Sequence, residues 1–255
     1  MGGTTSVGKA LTLLVVIAEL DGSATLAALA HAIGVPKSTA HRLLKELEDA
    51  GFVGRVGSRY QAGNRIFALA QAVRWTTHGL LQECAQAPLS ALLERGGSAV
   101  HLAVLDGAEV HYLDKLTGVG GGRLPTHAGA RLPATCTALG KALLAFADPP
   151  VVRGILAAPL TRLTRYSIAD PRRLVEELRL VRGTGLAHEC EEGRLGTACV
   201  AAPVLVDGVP VAAVSVSRPS GERSSPSQAR MVQATASAIA DALGRTGSMD
   251  RRQAG

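Results

Sequence analysis

Lys37, Ser38, Thr39, His41, Arg42 and Lys45 fall on one side of a short segment whose other side carries Ala40, Leu43, Leu44 and Leu47. The apolar set recurs with helical spacing, so the polar set is a solvent-facing stripe. The chemistry open to such a stripe is recognition of a polyanion. A helix amino end offers free backbone N–H groups and a partial positive charge, both suited to phosphate. Ser38 and Thr39 add hydroxyl donors there, and Lys37, Arg42 and Lys45 add full charges. On a helix in a major groove, His41 and Arg42 reach base edges while Lys45 meets the backbone. Arg55 and Arg59 flank a Gly57-Ser58 turn, where phosphate or an adjacent minor groove is the expected contact.

The elements that must hold these residues follow from the surrounding pattern. Leu26, Leu29, Ala30 and Ile33 stripe a first helix that stops at Gly34, and Pro36 suits the first turn of the second, which Gly51 ends. Residues 52–61, FVGRVGSRYQ, alternate and turn at Gly57-Ser58 as a two-stranded wing. A bracing helix over 6–20 is expected to bury Val7, Leu11, Leu14, Val15 and Ala18. Together these predict a winged helix-turn-helix over residues 1–63. A helical hairpin with a solvated charged face, or a protein-interaction module, is the alternative; the wing and the basic placement favour duplex DNA.

A second constellation, His188, Glu189 and Cys199, has the residue types of a base, an orienting group and a nucleophile. A cysteine-dependent enzyme, or a metal-dependent one using Cys190 as well, is therefore the competing functional class. Neighbouring His188 and Glu189 diverge in an extended strand, Cys199 sits in an apolar run, and no recognised zinc spacing is present. The reading is no catalysis, no metal and no cofactor.

Charge distribution points the same way. Residues 1–77 hold eight Lys/Arg against five Asp/Glu, residues 218–255 hold six against three, and the middle balances at thirteen against thirteen, giving the net charge of +6 for the 255-residue chain. A basic head on a balanced body means that the head meets the polyanion. The length suits two domains. Four cysteines without paired spacing read as reduced thiols of a cytoplasmic protein, and no run is long enough to span a membrane. The ALTLLVVIA run after Lys9 resembles a signal-peptide core, but its amphipathic spacing reads better as the bracing helix.

After the wing, Asn64 caps a linker helix over 64–77, with Ile66, Leu69, Ala70 and Val73 on one face and Trp75 near its end. Phe52, Tyr60, Phe67 and Trp75 are expected as core under the wing and along this linker. From 78 to 246 the pattern is α+β. A helix over about 79–95 is broken or kinked at Pro88. Hairpins centre on Asp106-Gly107 and Asp207-Gly208. GVGGGR at 118–123 is a loop. TALGKALLAFAD forms a helix ended by Pro149 and Pro150, and Asp170-Pro171 opens another that buries Leu174, Val175, Leu178 and Val181. Ser225-Pro226 starts a last helix along Val232, Ala236, Ile239, Ala240 and Leu243, and 247–255 is a disordered tail. Antiparallel strands with helices before, between and after them predict a sheet covered by helices.

Five stretches in order, SVGKALTLL, GVPKSTAHRLLKELEDAGFV, LPATCTALGKALLA, GLAHECEEGRLGTACVAAPV and VAAVSVSRP, give the chain its resemblance to the IclR-type bacterial transcriptional regulators. The resemblance implies a winged helix-turn-helix followed by a GAF-like effector domain, forming a homodimer or homotetramer. It implies a repressor or activator that binds operator DNA and responds to a small-molecule effector, a carboxylic acid. It places the effector on Leu132, Ala138, Leu139, Glu189, Cys199, Ser215 and Ser217. Some members have Gly-Ala where this chain has Ala138-Leu139, and the leucine narrows the pocket. Ser215 and Ser217, two apart in a strand, share one sheet face and leave Val214 and Val216 on the other. The HECEE stretch leaves open whether Glu189, Glu191 or Glu192 faces inward.

Overall fold

The computed structural model describes residues 5–20, 22–74, 78–95, 99–118, 126–222 and 225–253. They divide into two compact units, residues 1–79 and 80–255.

In the first unit, α1 (Ser6–Glu19), α2 (Leu26–Ala32) and α3 (Lys37–Asp49) pack over a sheet of β1 (Ser23–Thr25), β2 (Val53–Val56) and β3 (Arg59–Ala62), ordered β1-β3-β2. Leu29, Leu43, Leu44, Val53 and Tyr60 form the core, joined from α1 by Leu13 and Ile17. This corrects the expected stripe of α1, because Val7, Leu11 and Val15 are 70%, 58% and 54% exposed. The segment is apolar almost all round, so two faces fit its periodicity, and contact with α3 selects the other. Pro36 stands just before α3 rather than inside its first turn. Three-residue β1, too short to show a pattern, was not foreseen; it pairs antiparallel with β3, Ala24 opposite Tyr60.

The helix α4 (Asn64–Arg74) follows the wing. Of the four aromatics expected as core, Tyr60 is buried, but Phe67 is 67% exposed on α4. Trp75 and the linker's last residues lie outside the described residues.

The second unit is a six-stranded antiparallel sheet ordered β6-β5-β4-β9-β8-β7. Its strands are β4 (Ala99–Asp106), β5 (Glu109–Thr117), β6 (Arg131–Pro133), β7 (Ala187–Cys190), β8 (Thr197–Val206) and β9 (Val209–Pro219). Alternation splits every long strand between two cores. Val100, Leu102, Val200, Val204, Val214 and Val216 meet α5 (Gly79–Glu94) and α9 (Pro226–Gln253). Ala103, Ala201 and Ala213 face α6 (Ala138–Phe146) and α8 (Pro171–Thr184). Small residues on that face let α6 lie close to the sheet. Gly140 makes a second close approach: a Cβ there would stand 2.0 Å from the Ala134 carbonyl oxygen.

Several expectations change here. The helix α5 continues through Pro88. Asp106 pairs with Glu109, so the first hairpin turns at Gly107-Ala108, one residue later than read, with Gly107 at φ +61°. At the second, Asp207 and Gly208 both have positive φ, as a two-residue Asp-Gly turn requires. Pro149 and Pro150 do not end α6, which stops at Phe146; they open an unforeseen helix, α7 (Pro149–Leu156), where the missing N–H groups cost nothing. The helix α9 runs to Gln253, so most of the segment read as a disordered tail continues it. Most of the GVGGGR loop lies outside the described residues.

Candidate functional site

In the first unit, Lys37, Ser38, His41, Arg42 and Lys45 are exposed on α3, and Thr39 is half-buried. No side chain caps the amino end of α3, since Pro36 occupies the cap position. The first-turn N–H groups are therefore free of a capping side chain and suited to an anion. Arg42 donates to Glu46 one turn on, 2.8 Å away, an exposed pair that holds it only weakly.

The wing arginines are more occupied than their spacing foretold. Arg59 donates to the Ser23 hydroxyl at 3.1 Å and the Ser23 carbonyl at 2.8 Å, clasping β3 to β1. Arg55 donates to the Gly57 carbonyl at 3.0 Å and lies over the Tyr60 ring. Both guanidinium groups remain exposed.

The second unit contains a cavity of about 250 Å³ between the sheet and the amino end of α6. Leu132, Ala138, Leu139, Glu189, Cys199, Ser215 and Ser217 all line it. Their convergence has a simple origin in the register. Glu189, Cys199 and Ser217 lie directly opposite one another across β7, β8 and β9. Thr137 caps α6 by accepting the Gly140 N–H at 2.9 Å, which leaves the Ala138 and Leu139 N–H groups as first-turn donors at the cavity wall.

The three glutamates separate cleanly. Glu189 is buried at the cavity, its Oε2 accepting from the Glu192 N–H at 3.0 Å and the Gly193 N–H at 3.4 Å. Glu191 turns away at φ 60° and accepts from the Gly196 N–H and the Ser220 hydroxyl. Glu192 is buried against Lys141 instead. Burial pushes the Glu189 carboxyl above the ordinary carboxylate range, opposed by hydrogen bonds from Cys199 and the two amides.

A raised carboxyl favours the fold most below its unfolded value, about 4.3, and that contribution is lost as pH rises through the folded value. Glu189→Gln should therefore raise the melting temperature of the ligand-free protein at pH 7.5 by a few degrees, the gain disappearing near pH 4. The amide oxygen can still accept both N–H groups, so a thermal melt showing lower stability at pH 7.5 would contradict this account.

His101, Tyr112, Thr126, Cys136, Thr137, Gly193, Arg194 and Thr197 complete the wall. Sequence reading missed these; His101 was detectable only once β4 and β9 were known to pair, placing it opposite Ser215. The enzymatic constellation does not assemble. His188 is exposed while its neighbour Glu189 points into the core, and burial drives the Cys199 thiol well above its ordinary value, the opposite of the lowered value an activated thiol needs. Among the described residues no cluster of His, Cys, Asp or Glu suits a metal ion, and no helix is long and apolar enough to cross a membrane.

Two family descriptions match the chain: the IclR helix-turn-helix domain over residues 6–57, and the bacterial transcriptional regulator IclR C-terminal domain over 74–241. The transcriptional repressor IclR of Escherichia coli is 32% identical over 224 residues, covering 86% of this chain and 81% of that protein. The crystal structure of the Thermotoga maritima IclR superposes with a TM-score of 0.77 at 28% identity, covering 94% of this chain and 98% of that one. An IclR homologue from Microbacterium hydrocarbonoxydans, crystallised with 4-hydroxybenzoate, shares the fold with a TM-score of 0.77 at 24% identity, covering 94% and 100%.

Proposed function

The chain belongs to the IclR family of bacterial transcriptional regulators, with a DNA-binding helix-turn-helix unit and an effector-binding unit, and we propose that it binds operator DNA as a homodimer or homotetramer whose affinity is set by a small carboxylic acid. In this reading residues 1–63 grip DNA, 64–77 link, and 78–246 sense the effector and assemble the oligomer. The protein works in the cytoplasm without turning its ligand over.

On the DNA side, the α3 amino end takes a phosphate through its first-turn amides with Lys37, Ser38 and Thr39. His41 and Arg42 read base edges, and Lys45, Arg55 and Arg59 hold the backbone. A symmetric pair of such heads fits a palindromic site. On the effector side, a carboxylate binds at the Ala138 and Leu139 amides and the Ser215 and Ser217 hydroxyls, while Leu132 and Leu139 pack its carbon skeleton. Leu139 fills space that a smaller residue would leave, which suits a compact acid. The relative crystallised with 4-hydroxybenzoate supports an acid of this size.

The observation that carries the reading is the gathering of all seven expected effector residues on one cavity in the unit that matches the family's C-terminal domain. Effector binding then shifts operator affinity through the linker by about 1–3 kcal/mol, the usual size of such coupling. The test is a mobility-shift assay on the protein's own upstream region at several salt concentrations, with and without a panel of small carboxylic acids. Binding should fall steeply with salt, by a log–log slope of about −0.9 per phosphate contact, and one acid should shift the midpoint at least about fivefold. No binding at low salt, with or without any acid, would refute the proposal.

A further inference from the structure

Tyr112 stands on β5 at the cavity wall, 5% exposed, with its ring at 81° to that of His101 and the two centroids 5.4 Å apart. Among the described residues its hydroxyl has no hydrogen-bond partner, and neither has that of Ser215 on β9, 2% exposed. The unpartnered side-chain atoms closed off from water there are Nδ1 of His101, one oxygen of Glu192 and Nη1 of Arg218. The two hydroxyls are not among them, so both open onto the cavity their residues line. The direction of the tyrosine follows from the sheet. Inward from β5 come β4, β9, β8 and β7 in turn. Burial first, and then Cys199 on β8 and Glu189 on β7, push the Tyr112 phenol above its ordinary range. Groups so far along the sheet act on this hydroxyl only because the ring leans inward over β4 and β9, not outward over β6. Ala103, opposite Tyr112, and Ala213, opposite Ala103, are small enough for it to lie across. Ser215 and Ser217 project from that same face of β9. The three hydroxyls therefore share one wall, and the phenol keeps its proton at physiological pH.

We propose that Tyr112 is a further effector-binding residue, its hydroxyl donating to the same effector carboxylate as Ser215 and Ser217. The proposal rests on the carboxylic-acid reading above and adds a donor to the seat. Two features of the wall call for one. The Ser217 hydroxyl lies 3.1 Å from the Cys199 sulfur, so it is shared rather than wholly free for a ligand. Glu189 lines the same cavity, and its negative charge opposes an incoming carboxylate. A phenol is more acidic than an aliphatic hydroxyl and so the stronger donor to an anion. Hydrogen bonds to a charged group are roughly twice as strong as neutral ones, and a buried hydroxyl without a partner gains one when the acid arrives.

The test is calorimetric titration of the full chain at pH 7.5 with two acids and their neutral isosteres, 4-hydroxybenzoate and 4-hydroxybenzamide, butyrate and butyramide. At least one acid should bind the wild type more tightly than its amide. Tyr112→Phe, which keeps the ring and removes the oxygen, should weaken that acid about ten- to a hundredfold. The preference for acid over amide should shrink by about threefold or more. Because the hydroxyl bonds nothing in the free protein, the variant should melt within about two degrees of the wild type. A much lower melting temperature would show the hydroxyl held by the fold and overturn it as a free donor. Ser215→Ala and the double variant complete a cycle, in which two donors to one carboxylate give losses that do not add. Additive losses would overturn the shared seat. An acid that binds the wild type and Tyr112→Phe within about fivefold of each other would overturn the tyrosine contact and leave the acid reading standing. Amides bound as tightly as acids and weakened equally by Tyr112→Phe would overturn the carboxylate contact and the acid reading together. So would binding of none of the four compounds.

Discussion

Arg42→Ala should cost roughly 5- to 150-fold in operator affinity while leaving affinity for random duplex within about threefold, the signature of a base contact rather than a phosphate contact. The expectation follows from where Arg42 stands. It is exposed on the outward face of α3, one turn beyond the helix's uncapped amino end. Among the described residues its side-chain partner is Glu46, at 2.8 Å, with side-chain exposures of 59% and 64%. A pair that open to water is worth at most about 1 kcal/mol, less than a bidentate contact to a guanine gains, so DNA wins the guanidinium. Glu46→Ala gives the complementary result: it removes the competitor and a negative charge, so binding should tighten slightly on both sequences. Arg59 is the control. It is fastened to Ser23 of β1 rather than carried on α3, and Arg59→Ala should weaken operator and random DNA alike. The measurement is fluorescence anisotropy on an operator duplex and its scrambled version at one salt concentration. Equal losses on the two duplexes for Arg42→Ala would remove its base-reading role.

Comparison of these residues shows what spacing alone can convey. The α3 stripe was legible because one short helix carries both its buried and its exposed face, so period 3.6 sorts every residue. The α1 stripe was misassigned for the converse reason: Leu13 and Ile17 are buried, but Val7, Leu11 and Val15 are equally apolar, and only the position of α3 decides between the faces. In the second unit, the alternation of β9 correctly placed Ser215 and Ser217 together and Val214 and Val216 opposite. Its alignment with β4, which brings His101 beside those serines, is a contact between residues far apart in sequence and leaves no local trace. The same holds for β6 and β1, short strands that exist because a partner is available. The HECEE stretch was ambiguous for a further reason. A positive φ at Glu191 breaks the alternation after β7, so parity cannot be carried from Glu189 to Glu192.

Lys141 is where that broken stretch meets the rest of the domain, and Lys141→Met should destabilise the effector unit by about 3–5 kcal/mol while the DNA-binding unit melts unchanged. Lys141 is 1% exposed on α6, with Nζ 2.7 Å from Glu192 and 3.1 Å from Glu177 on α8. The second oxygen of Glu192 is buried without a partner among the described residues. Glu192 is thus already short of hydrogen bonds, and burial outweighs Lys141 in setting its carboxyl above the ordinary range. Removing the cation leaves that carboxylate buried without its hydrogen-bonded partner, with the Arg173 charge as its remaining electrostatic support. The pH dependence gives the cause away. With Lys141 gone the folded-state value rises further, and a raised carboxyl penalises the fold only once pH climbs past its unfolded value, about 4.3. The deficit should therefore be full at pH 7.5 and shrink towards pH 4, where Glu192 takes a proton. The double variant Lys141→Met/Glu192→Met should recover most of the loss at neutral pH, because a buried ion pair exchanged for apolar groups of similar size is often neutral. Denaturant unfolding of the two single variants and the double at both pH values closes the cycle; additive losses would show that the lysine acts through packing rather than charge. The cycle also bears on the cavity, because the Glu192 N–H is the nearer of the two amides that donate to the Glu189 carboxyl, at 3.0 Å. A double variant that regains stability yet still binds acids poorly would locate the role of the ion pair in fixing the loop that positions Glu189.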